Sequence, residues 1–174
     1  MDHLIFLIGF MGCGKTYWGK RISEKTGIPF LDLDQEIEVK ANDSVSNLFE
    51  QLGEAEFRIL EKSALHACEG MGTAIIATGG GAPCYFDNME WMNAKGRSIY
   101  LETPVGILAQ RLRQEQHLRP LLKGVQANLL ERRIAALIEH RAPFYLRAHE
   151  VLHQSGADNE AFGLLLEQTI IRGM

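Results

Sequence analysis

Residues 9–16 of the chain read Gly9-Phe10-Met11-Gly12-Cys13-Gly14-Lys15-Thr16, which is the pattern Gly-x4-Gly-Lys-Thr. The octapeptide follows the apolar run 4–8 and precedes a stretch with helical character from 15 to about 26. In this context the glycines let successive backbone N–H groups turn toward an anion, and the helix N-terminus adds positive potential. The alternative, a glycine-rich turn that carries Lys-Thr by chance, explains neither the strand nor the helix. The stretch therefore predicts a phosphate-binding loop for a nucleoside triphosphate.

Two side chains of this loop have the chemistry that a triphosphate requires. We expect Lys15 to reach the β- and γ-phosphates and the Thr16 hydroxyl to ligate Mg²⁺. Cys13 occupies a position that suits a small side chain, and we interpret it in that way rather than as a nucleophile.

The composition bounds the kind of protein that this chain forms. Its 174 residues are 46% hydrophobic and 23% charged, which is typical of a soluble globular protein, and we expect one domain over residues 1–174. The sequence shows no leader pattern and no apolar stretch of about 20 residues, so we expect no membrane association. The three cysteines lack metal-ligand spacing, which favours reduced thiols and a cytoplasmic location.

The net charge of −4 is unevenly distributed along the chain. Residues 111–147 hold eight Lys or Arg and three Glu, whereas the remainder holds ten basic and nineteen acidic residues. A basic segment in an acidic protein that binds triphosphate suggests arginines directed at anionic ligands. A solvated helix face is the alternative, and it accounts for Arg132 and Arg133 beside Glu131. A nucleic-acid partner is disfavoured because the whole chain is acidic.

Strand and helix patterns alternate along the chain. Strands are predicted at 4–8, 30–31, 74–77, 98–101 and 149–152, and helices at 15–26, 34–42, 45–51, 54–70, 87–94, 104–115, 126–142 and 158–171. This alternation is typical of an α/β fold with a parallel sheet and helices on both faces. The segment 116–124 lies between two helices and is polar and basic with a central proline, so we interpret it as a mobile lid.

Asp32 and Asp34 follow the second predicted strand, at the sheet edge where ligands collect in parallel α/β folds. One carboxylate near Mg²⁺ would complete its hydration shell, and the other would hold a substrate hydroxyl and accept its proton. The alternative is that Asp34 only caps the following helix, which is a common role of aspartate. Two aspartates at this edge favour the functional interpretation.

Arginines and a glycine triplet suggest a second, anionic ligand. Arg58 and Glu61 are three residues apart on a predicted helix and share a face, although an exposed ion pair there would contribute little. Residues 79–81 are three glycines directly after a strand, which indicates a ligand close to the backbone. Arg58 and Arg141 offer guanidinium groups suited to a carboxylate.

Six motifs that occur in one order resemble the shikimate kinase family, and the resemblance covers residues 4 to about 152. They are Gly-x4-Gly-Lys-Thr, Asp32-x-Asp34, Phe57-Arg58-x-x-Glu61, Gly79-Gly80-Gly81, Arg119-Pro120-Leu121-Leu122 and Arg141-x-Pro143-x-Tyr145. The resemblance implies a three-layer α/β sandwich of the P-loop NTPase, nucleoside monophosphate kinase-like class, with a five-stranded parallel sheet ordered 2-3-1-4-5. It also implies an enzyme that uses ATP and Mg²⁺ to phosphorylate the 3-hydroxyl of shikimate in aromatic amino acid biosynthesis. We expect this enzyme to be cytoplasmic and monomeric.

The resemblance further implies roles for individual residues. Nucleotide binding is expected of Gly12, Cys13, Gly14, Lys15, Thr16, Arg113 and Arg119, metal binding of Thr16 and Asp32, and substrate binding of Asp34, Arg58, Gly80, Gly81 and Arg141. Lys15, Asp34 and Arg119 are the expected catalytic residues, with a substrate-binding region at about 33–61 and a lid at about 112–124. Arg113 is expected to pack on the adenine, with Arg111 as the competitor. Cys13 departs from the small hydroxyl residue usual in the family, and residues 153–157 carry no motif.

Three other functions are compatible with parts of this sequence. A gluconate-type sugar acid kinase shares the loop and the fold, but the glycine triplet with Arg58 and Arg141 favours a ring carboxylate. A nucleoside monophosphate kinase also shares the fold, and an assay with AMP separates the two. A non-enzymatic nucleotide switch has no need of a second set of arginines and aspartates.

Overall fold

The computed structural model describes residues 3–156 and 159–173, which are organised around one parallel sheet. Its strands are β1 (Leu4–Ile8), β2 (Phe30–Asp32), β3 (Ala74–Ala77), β4 (Gly96–Glu102) and β5 (Glu150–His153), in the order β2-β3-β1-β4-β5. All pairings are parallel, and Phe6 of β1 is in register with Ile76 of β3 and Ser98 of β4. The predicted strand order and parallel α/β class are therefore confirmed.

Helices connect these strands and cover both faces of the sheet. Among the described residues they are α1 (Lys15–Thr26), α2 (Leu33–Ala41), α3 (Val45–His66), α4 (Asn88–Lys95), α5 (Val105–Leu112), α6 (Leu130–Tyr145) and α7 (Asn159–Arg172). The β1-to-β2 connection crosses the sheet in the direction opposite to the later ones, so right-handed crossovers place helices on both sides. On one of these sides α1 contacts α7 through the rings of Trp18 and Phe162, 5.4 Å apart.

The central strand fixes where the candidate site lies. All five residues of β1 are buried, as expected for a strand covered on both faces. The phosphate-binding loop leaves the carboxyl end of β1, and Thr78 directly follows the neighbouring strand β3. Asp32 ends β2, which pairs with β3 on its other side. The sheet order thus brings these three segments of the chain to one edge.

The break predicted between residues 51 and 54 is present inside α3. Gly53 interrupts the helix with φ 80° and ψ 168°, a backbone conformation that favours glycine. The helix then ends at His66 rather than at residue 70, because the N–H of Cys68 turns back to the carbonyl of Leu65.

Pro143 does not end α6, contrary to the prediction that this helix stops at residue 142. A proline inside a helix removes one backbone hydrogen bond. The N–H of Leu146 still donates to the carbonyl of Ala142 at 2.9 Å, and the fully buried Tyr145 holds the last turn against the core. At the other end α6 starts at Leu130 rather than 126, after a 3₁₀ turn at Ala127–Leu129.

One further helix ends earlier than predicted. The helix predicted at 104–115 ends at Leu112, since residues 113–115 form a turn. The predicted loop 153–157 and the predicted helix start at 158 lie partly outside the described residues. Within residues 3–156 and 159–173, no helix combines the length and apolar character needed to cross a bilayer.

Candidate active site

The loop after β1 borders a cleft at the carboxyl edge of the sheet. The cleft has a volume of about 470 Å³, and the loop contributes Met11, Gly12, Gly14, Lys15 and Thr16 to its wall. Gly14 is the N-cap of α1 and has φ 97°, a left-handed conformation that suits glycine. The positive end of α1 therefore adjoins a cavity that can hold an anion.

Lys15 is folded against the loop itself. Its Nζ donates to the carbonyls of Gly9 at 2.8 Å and Phe10 at 3.0 Å, and it lies 3.6 Å from Cys13 Sγ. Cys13 is fully buried, in keeping with its interpretation as a small packing side chain. Phosphate oxygens are stronger acceptors for an ammonium group than carbonyls, so Lys15 can exchange these partners for a phosphate in the adjoining cleft.

Thr16 and Asp32 form a hydroxyl–carboxylate pair beside this loop. Thr16 Oγ1 donates to Asp32 Oδ2 at 2.6 Å. Asp32 Oδ1 accepts the backbone N–H groups of Asp34 and Gln35, so Asp32 is the N-cap of α2. The capping role considered for Asp34 thus belongs to Asp32.

A magnesium ion fits this pair, because Mg²⁺ usually takes one or two protein oxygens and completes its shell with water and phosphate. No cluster of three or more His, Cys, Asp or Glu side chains with metal-ligand geometry occurs within the part of the chain that the structure describes. Thr16 and Asp32 can therefore supply the protein's share of a site whose other ligands come with a nucleotide.

Asp34 lies where two cavities meet. It lines the cleft of the phosphate-binding loop and also a second cavity bordered by Arg58, Glu61 and the glycine triplet. Burial raises the pKa of the Asp34 carboxyl, and the charge of Asp32 raises it further. A carboxylate at this junction can accept a proton from a hydroxyl group that faces the phosphate.

Arg58 is buried in the wall of the second cavity and held from several sides. Its guanidinium donates to Glu61 at 2.7 Å and to Glu54 at 2.9 Å, and it lies 4.5 Å from the centre of the Tyr85 ring. The Tyr85 hydroxyl in turn donates to Glu54 at 2.7 Å. The Arg58–Glu61 pair is therefore an interior ion pair, not the exposed pair considered from the sequence.

Glu61 is 1% exposed, and this burial dominates its titration. Burial raises its pKa to about 7, although the charge of Arg58 opposes the shift. For Arg58, burial favours the neutral form, but the contacts with Glu61 and Glu54 outweigh it and raise the pKa. We infer that Arg58 is charged and that Glu61 titrates near neutral pH.

The glycine triplet is explained chiefly by protein side chains. A Cβ at Gly79 would clash with Glu61 and lie 2.9 Å from Asp34 Oδ1, and a Cβ at Gly81 would clash with the Arg58 guanidinium. Gly80 has more room, with its nearest neighbours at 3.2 Å or beyond. The triplet therefore lets the charged side chains of α2 and α3 approach the carboxyl end of β3. The sequence had suggested that a ligand, and not these side chains, comes close to the backbone there.

Arg141 faces the same second cavity from α6. It is buried, its guanidinium lies 5.5 Å from the Phe10 ring centre, and its Nη1 has no hydrogen-bond partner among the described residues. Arg58 Nε is likewise buried and unpartnered in that part of the chain. Buried donors without partners are costly, so two of them on arginines around one cavity indicate an anionic ligand.

Arg119 lines both cavities from the segment predicted as a lid. Its Nη2 lies 3.4 Å from Glu115, and its side chain is 39% exposed. Leu122 of the same segment is fully buried, whereas Leu118 is 57% exposed. One leucine therefore anchors the segment while the arginine stands at the junction.

Arg111 contacts the phosphate-binding loop, whereas Arg113 does not border its cleft. Arg111 lines the loop cleft and donates to the carbonyl of Gly12 at 3.0 Å. Arg113 follows α5, is exposed and is not among the residues that border that cleft. The geometry thus favours the competitor, Arg111, for a place near the nucleotide.

Several residues of the site were not singled out from the sequence. Glu54 and Tyr85 brace Arg58, Gln154 contacts the phosphate-binding loop, and Tyr17 lines its cleft. Glu54 lies four residues before Arg58, a spacing that brings side chains together on a helix and was a usable signal. Tyr85 and Gln154 act across long separations in sequence, which no local pattern reveals.

Comparisons with known proteins agree on one family. A family model described as shikimate kinase matches residues 11–169. A shikimate kinase from Parabacteroides distasonis is 46% identical over 144 residues, which cover 83% of each chain. The crystal structure of shikimate kinase from Bacteroides thetaiotaomicron has a TM-score of 0.88 at 38% identity, covering 98% of this chain and 97% of that one. The Acinetobacter baumannii shikimate kinase in complex with shikimate has a TM-score of 0.84 at 34% identity, covering 99% and 92%.

Proposed function

We infer that this chain, which belongs to the shikimate kinase family, transfers the γ-phosphate of ATP to the 3-hydroxyl of shikimate, giving shikimate 3-phosphate and ADP. The reaction is a step of chorismate and aromatic amino acid biosynthesis. The observation that carries this conclusion is the junction of two cavities at Asp34, one bordered by the phosphate-binding loop and the other by two buried arginines.

At the nucleotide side, we propose that Gly12, Cys13, Gly14, Lys15 and Thr16 bind the ATP phosphates. Thr16 and Asp32 would hold Mg²⁺, which when bound neutralises charge on the phosphate oxygens. Lys15 would place its ammonium group on the same oxygens after leaving the carbonyls of Gly9 and Phe10. We place Arg111, rather than Arg113, beside the nucleotide.

At the acceptor side, Arg58 and Arg141 would bind the shikimate carboxylate through their unpartnered donors. Gly80 and Gly81 would border the ring, since both line this cavity.

Between the two sides, Asp34 would orient the 3-hydroxyl and take its proton, because it lines both cavities. Arg119 would stabilise the transferring phosphoryl group from the lid. Positioning and charge stabilisation supply most of the rate in such transfers.

The direct test is ATP turnover in a coupled assay with and without shikimate, repeated with AMP and gluconate. We expect turnover that depends on shikimate alone. Phosphorylation of AMP or gluconate at a comparable kcat/KM would assign the chain another acceptor.

We further propose that the chain is a single domain, with a substrate-binding region at about 33–61 and a lid at about 112–124, and that it works as a cytoplasmic monomer. The support for a monomer is that residues of one chain border both cavities.

A further inference from the structure

Gln154 connects the end of the sheet to the phosphate-binding loop. It directly follows β5, and its backbone N–H donates to the carbonyl of Glu102 at the end of β4. The residue is 4% exposed. Its side chain crosses to Cys13, 141 residues earlier in the chain.

The side-chain amide makes two short hydrogen bonds. Nε2 donates to the carbonyl of Cys13 at 2.6 Å and to Thr103 Oγ1 at 2.8 Å. A backbone carbonyl can only accept, so the nitrogen of the amide, and not its oxygen, must face Cys13. The chemistry of the partner therefore fixes the orientation of the amide.

This contact controls one peptide plane of the loop. The peptide between Cys13 and Gly14 is planar and trans, so its C=O and N–H point in opposite directions. Holding the Cys13 carbonyl toward Gln154 directs the Gly14 N–H away from it, and Gly14 borders the nucleotide cleft whereas Cys13 does not. Because Gly14 lacks a Cβ, its backbone is free to adopt other orientations unless a contact holds it.

We propose that Gln154 is a positioning residue of the nucleotide site, which holds the Cys13–Gly14 peptide so that the Gly14 N–H faces the phosphates. The inference rests on the proposed binding of ATP at this loop. Arg111 holds the preceding carbonyl, that of Gly12, in the same way from α5, but from the exposed side of the loop. Gln154 is the interior contact of the two.

The unused oxygen of Gln154 argues against apolar packing as the reason for a glutamine at this position. Its Oε1 is buried and has no hydrogen-bond partner among the described residues. A buried acceptor left unsatisfied lowers stability, so packing alone would favour an apolar side chain at this position. The donor nitrogen is the feature that an apolar side chain could not supply.

Gln154→Met tests the proposal, because methionine keeps the length of the side chain and removes the donor. By calorimetry we expect the affinity for ADP with Mg²⁺ to fall by about tenfold, the size expected for one lost orienting hydrogen bond. The affinity for shikimate should change by less than about twofold, since no acceptor contact is lost. Thr103→Val is the matched control: it removes the second partner but keeps the bond to Cys13, and should lower ADP affinity less.

The possible outcomes separate this inference from the proposed function. A wild-type protein that fails to bind ADP refutes the proposed function and the inference with it. If the wild type binds ADP and a folded Gln154→Met protein binds it equally well, the inference alone is wrong. If Gln154→Met binds both ADP and shikimate more weakly and also melts at a lower temperature, Gln154 has a structural role only.

A second variant, Gln154→Glu, tests the proposal if Gln154→Met does not fold. Gln154→Glu keeps the shape of the side chain but places a carboxylate oxygen against the Cys13 carbonyl. We expect a larger loss of ADP affinity than from methionine, because acceptor faces acceptor and a negative charge is added near the phosphates. Unchanged ADP affinity in this variant would also overturn the proposal.

Discussion

The ammonium group of Lys15 lies against the carbonyls of Gly9 and Phe10 at the edge of the nucleotide cleft. In Lys15→Ala these carbonyls lose a partner, and the reacting phosphate loses a positive charge. We expect turnover to fall about 10²-fold or more, the usual result of removing an electrostatic stabiliser. Lys20→Ala, on the exposed face of the same helix, is the control for loss of charge. Near-normal turnover in a folded Lys15→Ala protein would refute the assignment.

Arg141 is the better of the two arginines for testing the carboxylate site. Arg58→Ala would also leave the buried Glu61 without its cation, which destabilises the fold. Arg141→Ala should weaken shikimate binding by about 1.5–3 kcal/mol, the loss expected for a charge-assisted contact, and leave ATP binding intact. Calorimetry with each ligand measures both effects. The control is Arg147→Ala, whose side chain pairs with Glu90 at the surface.

If shikimate affinity is equally unaffected in Arg141→Ala, Arg58→Ala and the control, the two arginines do not bind the acceptor. A similar loss in Arg147→Ala would instead indicate a general effect of positive charge.

Glu61 makes stability depend on pH. Its folded-state pKa of about 7 lies above its ordinary value of 4.5, so the folded protein holds a proton that the unfolded chain releases. This contribution is fully present below pH 4.5 and is lost as pH rises through about 7. Between those values Glu61 alone lowers the free energy of unfolding by up to about 1.4 kcal/mol per pH unit.

The pH dependence is measured by urea unfolding of the wild type and Glu61→Gln from pH 4.5 to 8. The glutamine cannot titrate, so the fall in stability with rising pH should be weaker in the variant. Identical slopes for both proteins would show that Glu61 keeps an ordinary pKa.

The segment 116–124 is the element whose motion the proposed mechanism requires. Arg119 reaches the junction of the cavities, but only Leu122 of its neighbouring leucines is fully buried. Arg119→Ala should lower turnover more than it weakens ATP binding, because its contact is made in the closed, reacting state. It should not change the melting temperature, since a half-exposed arginine supports little packing.

Hydrogen exchange provides the complementary measurement on this segment. Residues 116–124 should be more protected in the complex with ADP and shikimate than in the free protein. Equal protection in both states would mean that no lid closes, and Arg119 would then be an ordinary surface charge.

Helices and strands were predicted accurately where neighbouring residues in the sequence determine their ends. β1, α1 and the break at Gly53 depend on a short apolar run, a glycine-rich loop and one glycine, and they lie where the sequence indicates. The predicted end of α6 was wrong, because the packing of the buried Tyr145 against the core outweighs the local effect of Pro143. Whether such a side chain is buried depends on the tertiary fold, and local sequence patterns do not reveal it.

The site was predictable where its residues follow strands. Lys15 and Thr16 end the loop that follows β1, and Asp32 and Asp34 lie at the end of β2. Parallel strands bring such residues to one edge of the sheet. The burial of the Arg58–Glu61 pair and the contact of Gln154 with Cys13 depend on residues far apart in the chain. The strand order itself came from the resemblance, since alternation of elements indicates a parallel sheet without ordering its strands.

The whole molecule brings both substrate cavities together within one chain. The phosphate-binding loop, Asp34, Arg119 and the two buried arginines Arg58 and Arg141 all belong to it, and the cavities they border meet at Asp34. Since described residues of one chain border both cavities, we expect activity per chain not to depend on protein concentration. We expect light scattering to give a mass near 19.5 kDa and specific activity to stay constant over a hundredfold dilution. An activity that falls on dilution, together with a dimer mass at high concentration, would show that association contributes to the working enzyme.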